Sequence, residues 1–140
     1  MAVKKLTAAL VSALVAGAAL SGAPAVAAKS KPKLTGEEKL AKMLEGREAG
    51  KPVNCITLSQ VSQTTVIDKT AIVYQVGSTL YVNRPTNADL LDNDDILVTR
   101  LWGSQLCSVD TVQLHDRMAG HMWSGFVGLR EFVPYKRVKK

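Results

Sequence analysis

The sequence is poor in the residues that most catalytic and metal sites use. Its 140 residues include only two histidines, two cysteines and few aromatic side chains. The Gly-x-Ser-x-Gly elbow of hydrolases, the glycine-rich phosphate loops and the paired metal-ligand spacings are all absent. No aromatic residues alternate with the lysines, as they do in proteins that bind single-stranded nucleic acid. The sequence therefore gives no support to an enzyme and argues against nucleic acid as a partner.

Residues 1–28 have the features of a cleaved signal peptide. Lys4 and Lys5 precede an apolar run at 6–20, and small residues follow, with cleavage predicted after Ala27 or Ala28. The run is shorter than the roughly 20 residues that span a bilayer, and no later segment is apolar enough to do so. We expect a periplasmic or secreted protein with no stable membrane insertion after cleavage.

The two ends of the remaining chain are basic. Loss of residues 1–28 removes two lysines and no acidic residue, so the formal net charge falls from +6 to +4. Three lysines lie in a predicted linker at 29–34, and four basic residues lie in a predicted tail at 136–140. Such ends are usually solvated and frayed. The alternative is a weak attraction to anionic lipid or cell-wall polymer.

Cys55 and Cys107 are the only cysteines. An even number in a small exported protein favours a disulfide, and a bridge across 52 residues would stabilise the fold by about 4 kcal/mol. In the alternative hypothesis Cys107 is a nucleophile, with His115 as its base and Asp110 or Asp116 orienting the imidazole. A free thiolate outside the cytoplasm is exposed to oxidation, which favours the bridge.

A single helix is predicted near the start of the mature chain. Thr35 and Glu38 form a capping box, apolar residues follow at helical spacing at 40, 43 and 44, and Gly46 and Gly50 end the pattern. So short a helix is unstable alone in water. We therefore predict an accessory helix over 35–49 that rests on the main domain.

Residues 53–135 have the composition of a single β domain. The segment TAIVYQVGSTLYVNRP predicts a hairpin whose Gly77-Ser78 loop suits a type II′ turn. Its register places Val76 opposite Thr79, Tyr74 opposite Tyr81 and Val73 opposite Val82. Both faces are then partly apolar and need cover, which predicts a mainly β fold, a small antiparallel sandwich or a partly closed barrel.

Further strands are predicted at 55–58, 65–67, 96–101 and 108–115, and one or two last strands are predicted within 126–133. Asp68-Lys69-Thr70 has the composition of a turn. Apolar residues occupy odd-numbered positions before Asp110 and Thr111 and even-numbered positions after them, so the apolar face of the predicted strand switches there. This switch predicts a β-bulge at that point. Of the aromatic residues, Trp102, Tyr74, Tyr81 and Tyr135 could line a binding face, but we expect most of them to be buried in the core or its rim.

The segment HDRMAGHMW contains both histidines and two of the four methionines. His115, Met118, His121 and Met122 offer the nitrogen and sulfur ligands that copper accepts outside the cytoplasm. The alternative is an ordinary loop whose methionines cover an apolar edge. We expect the ordinary loop and no cofactor, with copper as the one possibility that the segment leaves open.

Two other sets of residues have chemistry worth testing. Ser104 or Ser108, with His115 and Asp116, supplies the residue types of a hydrolase triad. However, His115 and Asp116 are adjacent, and adjacent residues of a strand point to opposite faces, so Asp116 could orient His115 only if the strand had already ended. The acidic stretch 91–95 could chelate calcium, but it lacks the glycine and distal glutamate of a hand-type loop and is better explained as a solvated turn.

The segments GKPVNC, TAIVYQVGSTLYVNRP, DDILVTR, GSQLCSVDTV and GFVGLREFVPY together resemble a family of small exported proteobacterial proteins that carries only an uncharacterised-domain label. The resemblance covers about sixty per cent of the chain, between Gly50 and Tyr135. It implies export and a compact β domain, and it brings no catalytic residue. The leading hypothesis is a noncatalytic binding or envelope-associated module whose partner is an envelope protein or polymer; copper binding and a thiol or serine hydrolase are the alternatives.

Overall fold

The computed structural model describes residues 32–139. The predicted signal peptide, its cleavage positions Ala27 and Ala28, and the first half of the predicted linker, 29–31, lie outside this range. Among residues 32–139, no helix is both long and apolar enough to cross a membrane.

The described chain is mainly β, as the sequence predicts. One helix, α1 (Gly36–Met43), precedes all ten strands. The strands are β1 (Arg47–Ala49), β2 (Cys55–Thr57), β3 (Val61–Ile67), β4 (Ala71–Val76), β5 (Thr79–Asn83), β6 (Asp95–Thr99), β7 (Gln105–Cys107), β8 (Thr111–Asp116), β9 (Met122–Gly128) and β10 (Phe132–Arg137). Single 3₁₀ turns lie at Leu58–Gln60 and Ala88–Leu90.

The strands form three antiparallel sheets that do not close into a barrel. The largest has the order β1-β10-β5-β4-β3, the second β6-β8-β9, and the third pairs β2 with β7. The β4–β5 hairpin confirms the predicted register, including Tyr74 opposite Tyr81 and Val73 opposite Val82. Gly77 has φ +57°, as the first loop position of a type II′ turn requires. The turn at 68–70 is also confirmed.

The main core lies on one face of the five-stranded sheet. Ile72, Tyr74 and Phe132 pack there with Leu106 of β7 and with the inward-facing residues of β8 and β9. The Tyr74 and Phe132 rings meet edge to face, with centroids 5.8 Å apart. The large sheet and the two small ones thus bury a common apolar layer, as in a sandwich.

The helix covers the other face of the large sheet. Leu40 is 2% exposed and packs in a second cluster with Val73, Leu80 and Val82. The capping box is confirmed, because Glu38 N donates to the Thr35 hydroxyl and Thr35 N donates to the Glu38 carboxylate. The hairpin therefore has the two-sided cover that its sequence requires, and the helix supplies half of it.

The predicted helix over 35–49 is too long. It ends at Met43, and Gly46, at φ +70°, turns the chain so that Arg47–Ala49 becomes β1 and pairs with β10. The Arg47 guanidinium donates to the carbonyls of Ser78 and Tyr135, which holds the new strand at the sheet edge. The predicted tail at 136–140 also begins too early, because Lys136 and Arg137 belong to β10.

The bulge predicted at Asp110 and Thr111 is absent: a turn at 108–110 stands there instead, and Thr111 begins β8. Strand β7 ends at Cys107, and the Asp110 carboxylate accepts a hydrogen bond of 2.7 Å from Cys107 N before β8 begins. The switch of apolar residues from odd to even positions therefore marks a break between two strands. A bulge does occur elsewhere, where β8 meets β9 and the register shifts between Leu114 and His115.

Candidate functional site

The two cysteines form a disulfide. Cys55 and Cys107 lie directly opposite each other in the β2–β7 pair, with Cα atoms 4.0 Å apart, and no cysteine is free. The disulfide prediction is confirmed, and the hypothesis of a Cys107 nucleophile is wrong. Bonds of this kind persist in oxidising surroundings.

The His115–Met122 segment is an ordered hairpin loop. The Asp116 carboxylate accepts hydrogen bonds from the backbone N–H groups of Met118 and Ala119. His115 Nδ1 lies 2.9 Å from the carbonyl oxygen of His121, while its Nε2 is buried without a hydrogen-bond partner among residues 32–139. The side chain of His115 therefore takes part in holding the loop.

The other predicted copper ligands lie at the surface. Met118, His121 and Met122 are exposed. In the described part of the chain, no three or more His, Cys, Asp or Glu residues are close enough together to hold a metal ion. Copper binding through this loop stays a prediction from the sequence.

The residues predicted for a hydrolase triad have other structural roles. The Asp116 carboxylate caps its own loop rather than orienting the neighbouring imidazole. Ser108 adjoins the disulfide, where its N–H donates to the carbonyl of Asn54, whereas His115 lies in the three-stranded sheet. Nothing in the hydrogen bonding of these side chains links them as a triad.

The acidic stretch forms a turn that uses its own carboxylates. Asp95 is buried and accepts from Asp92 N and the Ser124 hydroxyl. Asp92 accepts from Asp94 N, and Asp68 accepts from Asn93 N. These carboxylates replace water as partners of the backbone and position the start of β6.

The outer face of the three-stranded sheet is an exposed aromatic surface. Gln113 of the central strand pairs with Val98 on one side and Phe126 on the other, and His115 pairs with Ile96 and Trp123 in the same way. Paired residues of an antiparallel sheet project to the same face. We call this surface the aromatic face and define it by Ile96, Val98, Gln113, His115, Trp123 and Phe126, with Trp102 beyond its end.

A bulge places Trp123 on this face. Trp123 and Phe126 are three residues apart, so in a regular strand they would project to opposite sides. The extra residue, Ser124, shifts the pairing so that Leu114 lies opposite Gly125 and His115 opposite Trp123. The Ser124 hydroxyl bonds the buried Asp95 carboxylate at 3.3 Å, which supports the irregular backbone.

The aromatic side chains of this face are open to solvent. Trp102 is fully exposed, and Trp123 and Phe126 are 62% and 51% exposed. A shallow groove lined by Val98, Trp102 and Val109 joins the loop before β7 to the sheet. The expectation that most aromatic residues are buried is correct for Tyr74 but wrong for Trp102.

A second feature is an open cleft of about 650 Å³ on the helix side of the large sheet. Its apolar wall includes Val82, Leu129 and Val133. Its polar residues are Asn54, Arg84, Thr86, Ser108, Arg130, Glu131 and Tyr135. We call it the arginine cleft.

The two arginines of the arginine cleft differ in their partners. The Arg84 guanidinium makes a two-pronged contact with the Glu37 carboxylate of α1, and this hydrogen bonding holds the pKa of Glu37 below its usual value. Arg130 is exposed and has no ion-pair partner within residues 32–139. Arg130 is therefore the guanidinium that is open to an added anion.

No protein-family model, curated protein or solved structure matches this chain.

Proposed function

We propose that this is an exported, noncatalytic binding protein that holds another protein on its aromatic face. The observation that carries the proposal is the row of uncovered apolar and aromatic side chains on the outer side of the three-stranded sheet. Contiguous exposed apolar surface of this kind marks interaction sites in soluble proteins.

The composition of the face favours a protein partner. Interface centres are rich in Trp, Phe, Met and Arg and poor in Lys and Glu. Trp102, Trp123 and Phe126 supply the aromatic area, and no lysine or glutamate lies among the residues that define the face. The side-chain amide of Gln113 within the face can form hydrogen bonds with a protein partner but not with lipid chains.

The rim of the face adds positive charge. Arg100 lines the groove beside Trp102, and Arg117 lies near Ile96 at the other end. Neither arginine has an ion-pair partner within residues 32–139. The expected partner surface is therefore an apolar patch bordered by carboxylates.

Export is the second part of the proposal. The disulfide supports it, because such bonds are rare in reducing cytosol. Protein recovered from cells should begin at Ala28 or Lys29 on N-terminal sequencing and show no free thiol. Full-length protein with two free thiols in the cytosolic fraction would contradict export without bearing on the aromatic face.

Photo-crosslinking in the source cells tests the binding face. A photoreactive residue in place of Phe126 should give a discrete protein adduct, and the same residue in place of Gln63, exposed on the edge strand β3, should not. The double variant Trp102→Ala, Trp123→Ala should abolish the adduct. Equal adducts from both positions, or none from position 126, would contradict the proposal.

Vesicles distinguish a lipid surface from a protein partner. Purified protein should leave vesicles of phosphatidylglycerol and phosphatidylcholine unbound in a sedimentation assay. Binding to these vesicles that the double variant loses would assign the face to a membrane surface and overturn the protein partner.

A further inference from the structure

The arginine cleft has the size and the mixed lining of a site for a small ligand. Its volume of about 650 Å³ lies within the range of small-molecule pockets, which combine apolar walls with a few polar groups that fix orientation. We propose that the cleft binds an α-carboxylate attached to an apolar side chain, as in a free amino acid or the last residue of a peptide. This proposal goes beyond the protein-binding role of the aromatic face, with which the cleft shares no residue.

The walls of the cleft are held in place before any ligand enters. Asn83 is fully buried, and its side-chain amide bonds both the N–H and the carbonyl of Arg130. On the opposite side Ser108 N donates to Asn54 O at 2.7 Å, directly beside the disulfide. A site built on fixed backbone loses little conformational entropy when it binds.

Arg130 supplies the anion-binding group. Its guanidinium is exposed and unpaired within the described residues, whereas Arg84 is held by Glu37. A guanidinium binds a carboxylate through two parallel N–H···O bonds, which gives both strength and orientation.

Glu131 selects the kind of anion. It also lines the cleft and has no ion-pair partner among residues 32–139. Its negative charge disfavours a doubly charged phosphate, while it can accept a hydrogen bond from an ammonium or amide group of the same ligand. A singly charged α-carboxylate with a nitrogen donor nearby fits both charges.

The apolar wall accounts for the side chain of the ligand. Val82 and Val133 are directly paired across β5 and β10, so their side chains adjoin on one face, and Leu129 lies beside them. Val82 and Leu129 are buried and form the base of this wall, whereas Val133 is partly exposed, so an aliphatic group placed over Val133 removes apolar surface from water. Asn54 and Ser108 then lie at the polar end, where a peptide amide would need partners.

The test uses titration calorimetry or NMR shifts on the whole mature protein. Leucine, N-acetyl-leucine and the dipeptide Ala-Leu are the probes, and N-acetyl-leucinamide, which lacks the carboxylate, is their control. We expect saturable binding of at least one carboxylate and none of the amide. Tighter binding of leucine would identify an amino acid as the ligand class, and tighter binding of the blocked or dipeptide form would identify a peptide terminus.

Arg130→Gln should weaken binding of the carboxylate about tenfold to a hundredfold, because hydrogen bonds to a charged group are lost. The substitution leaves the backbone contacts with Asn83 intact, so the melting temperature should not change. Arg117→Gln, an exposed arginine away from the cleft, is the matched control and should bind as the unmodified protein does. Absence of binding by all three carboxylates, equal binding to Arg130→Gln, or stronger binding of inorganic phosphate would overturn the proposal.

Discussion

Cys55 and Cys107 are cross-strand partners as well as disulfide partners. The strands that they join are only three residues long, and Ile56 and Leu106 beside them enter the main core. The covalent bond therefore holds together a strand pair that has few hydrogen bonds of its own. It also fixes the chain at Asn54 and Ser108, on one side of the arginine cleft.

Removing the disulfide should lower the free energy of unfolding by about 4 kcal/mol, because the bond closes a 52-residue separation in the unfolded chain. Urea unfolding of Cys55→Ser, Cys107→Ser against the oxidised protein measures the difference. Added dithiothreitol should destabilise the unmodified protein and leave the double variant unchanged. A double variant as stable as the oxidised protein would show that the bond is dispensable.

The chain has two tryptophans, Trp123 on the aromatic face and Trp102 beyond its end, and both are exposed. The fluorescence of the free protein should therefore resemble that of indole in water and be quenched strongly by iodide. Urea unfolding should shift the emission maximum very little, although circular dichroism reports the loss of structure. A blue emission maximum in the free protein, moving to the red on unfolding, would mean that the face is covered. Trp102→Phe and Trp123→Phe assign the signal to each position.

The local parts of the fold could be predicted from the sequence because neighbouring residues determine them. Gly77 is suited to the first position of a two-residue loop, and that loop alone determines the pairing of Tyr74 with Tyr81. The capping box at Thr35 and Glu38 is equally local. The disulfide could be predicted from the number of cysteines and from the expected export, without any knowledge of the order of the strands.

The parts that could not be predicted depend on contacts distant in sequence. Strand β1 exists because β10 offers an edge to Arg47–Ala49, and nothing within 47–49 indicates a strand. The bulge at Ser124 depends on Asp95, 29 residues away. Regular alternation along 122–128 would place Trp123 and Phe126 on opposite faces, so the sequence alone could not predict that they share one. The arginine cleft likewise combines residues from separate strands and loops, and only the folded topology brings them together.

Leu40→Ala should lower the free energy of unfolding by about 3 kcal/mol. Leu40 is buried against Val73, Leu80 and Val82, so its truncation leaves a cavity between the helix and the large sheet. Leu34→Ala, at an exposed leucine just before the helix, should change stability by less than about 0.5 kcal/mol. Equal effects of the two substitutions in urea unfolding would show that the helix does not belong to the core.

The buried phenol of Tyr74 should make the free energy of unfolding depend on pH in the alkaline range. Burial raises the pKa of its phenol above the usual value of 10.0, because the charged form would be desolvated. The pKa of Tyr74 is higher in the folded state than in the unfolded state. The contribution of Tyr74 to the free energy of unfolding is therefore fully present below pH 10, and it is lost as the pH rises above 10, by about 1.4 kcal/mol per pH unit. Tyr74→Phe should match the unmodified protein at pH 7 and lose stability less steeply above pH 10. Parallel curves for the two proteins would contradict this assignment.

Asn83→Ala should destabilise the protein by about 2 to 3 kcal/mol, because it leaves the buried contacts with the N–H and carbonyl of Arg130 unmade. Asn93→Ala, at an exposed asparagine of the acidic turn, is the matched control and should have little effect. Hydrogen exchange locates the effect: the amide of Arg130 should exchange faster in Asn83→Ala than can be explained by the change in global stability, while the amide of Tyr74 in the main core should follow the global change alone. If the Arg130 amide stayed as protected as the core, the loop would be held by its strand neighbours, and the rigid wall of the arginine cleft would need another cause.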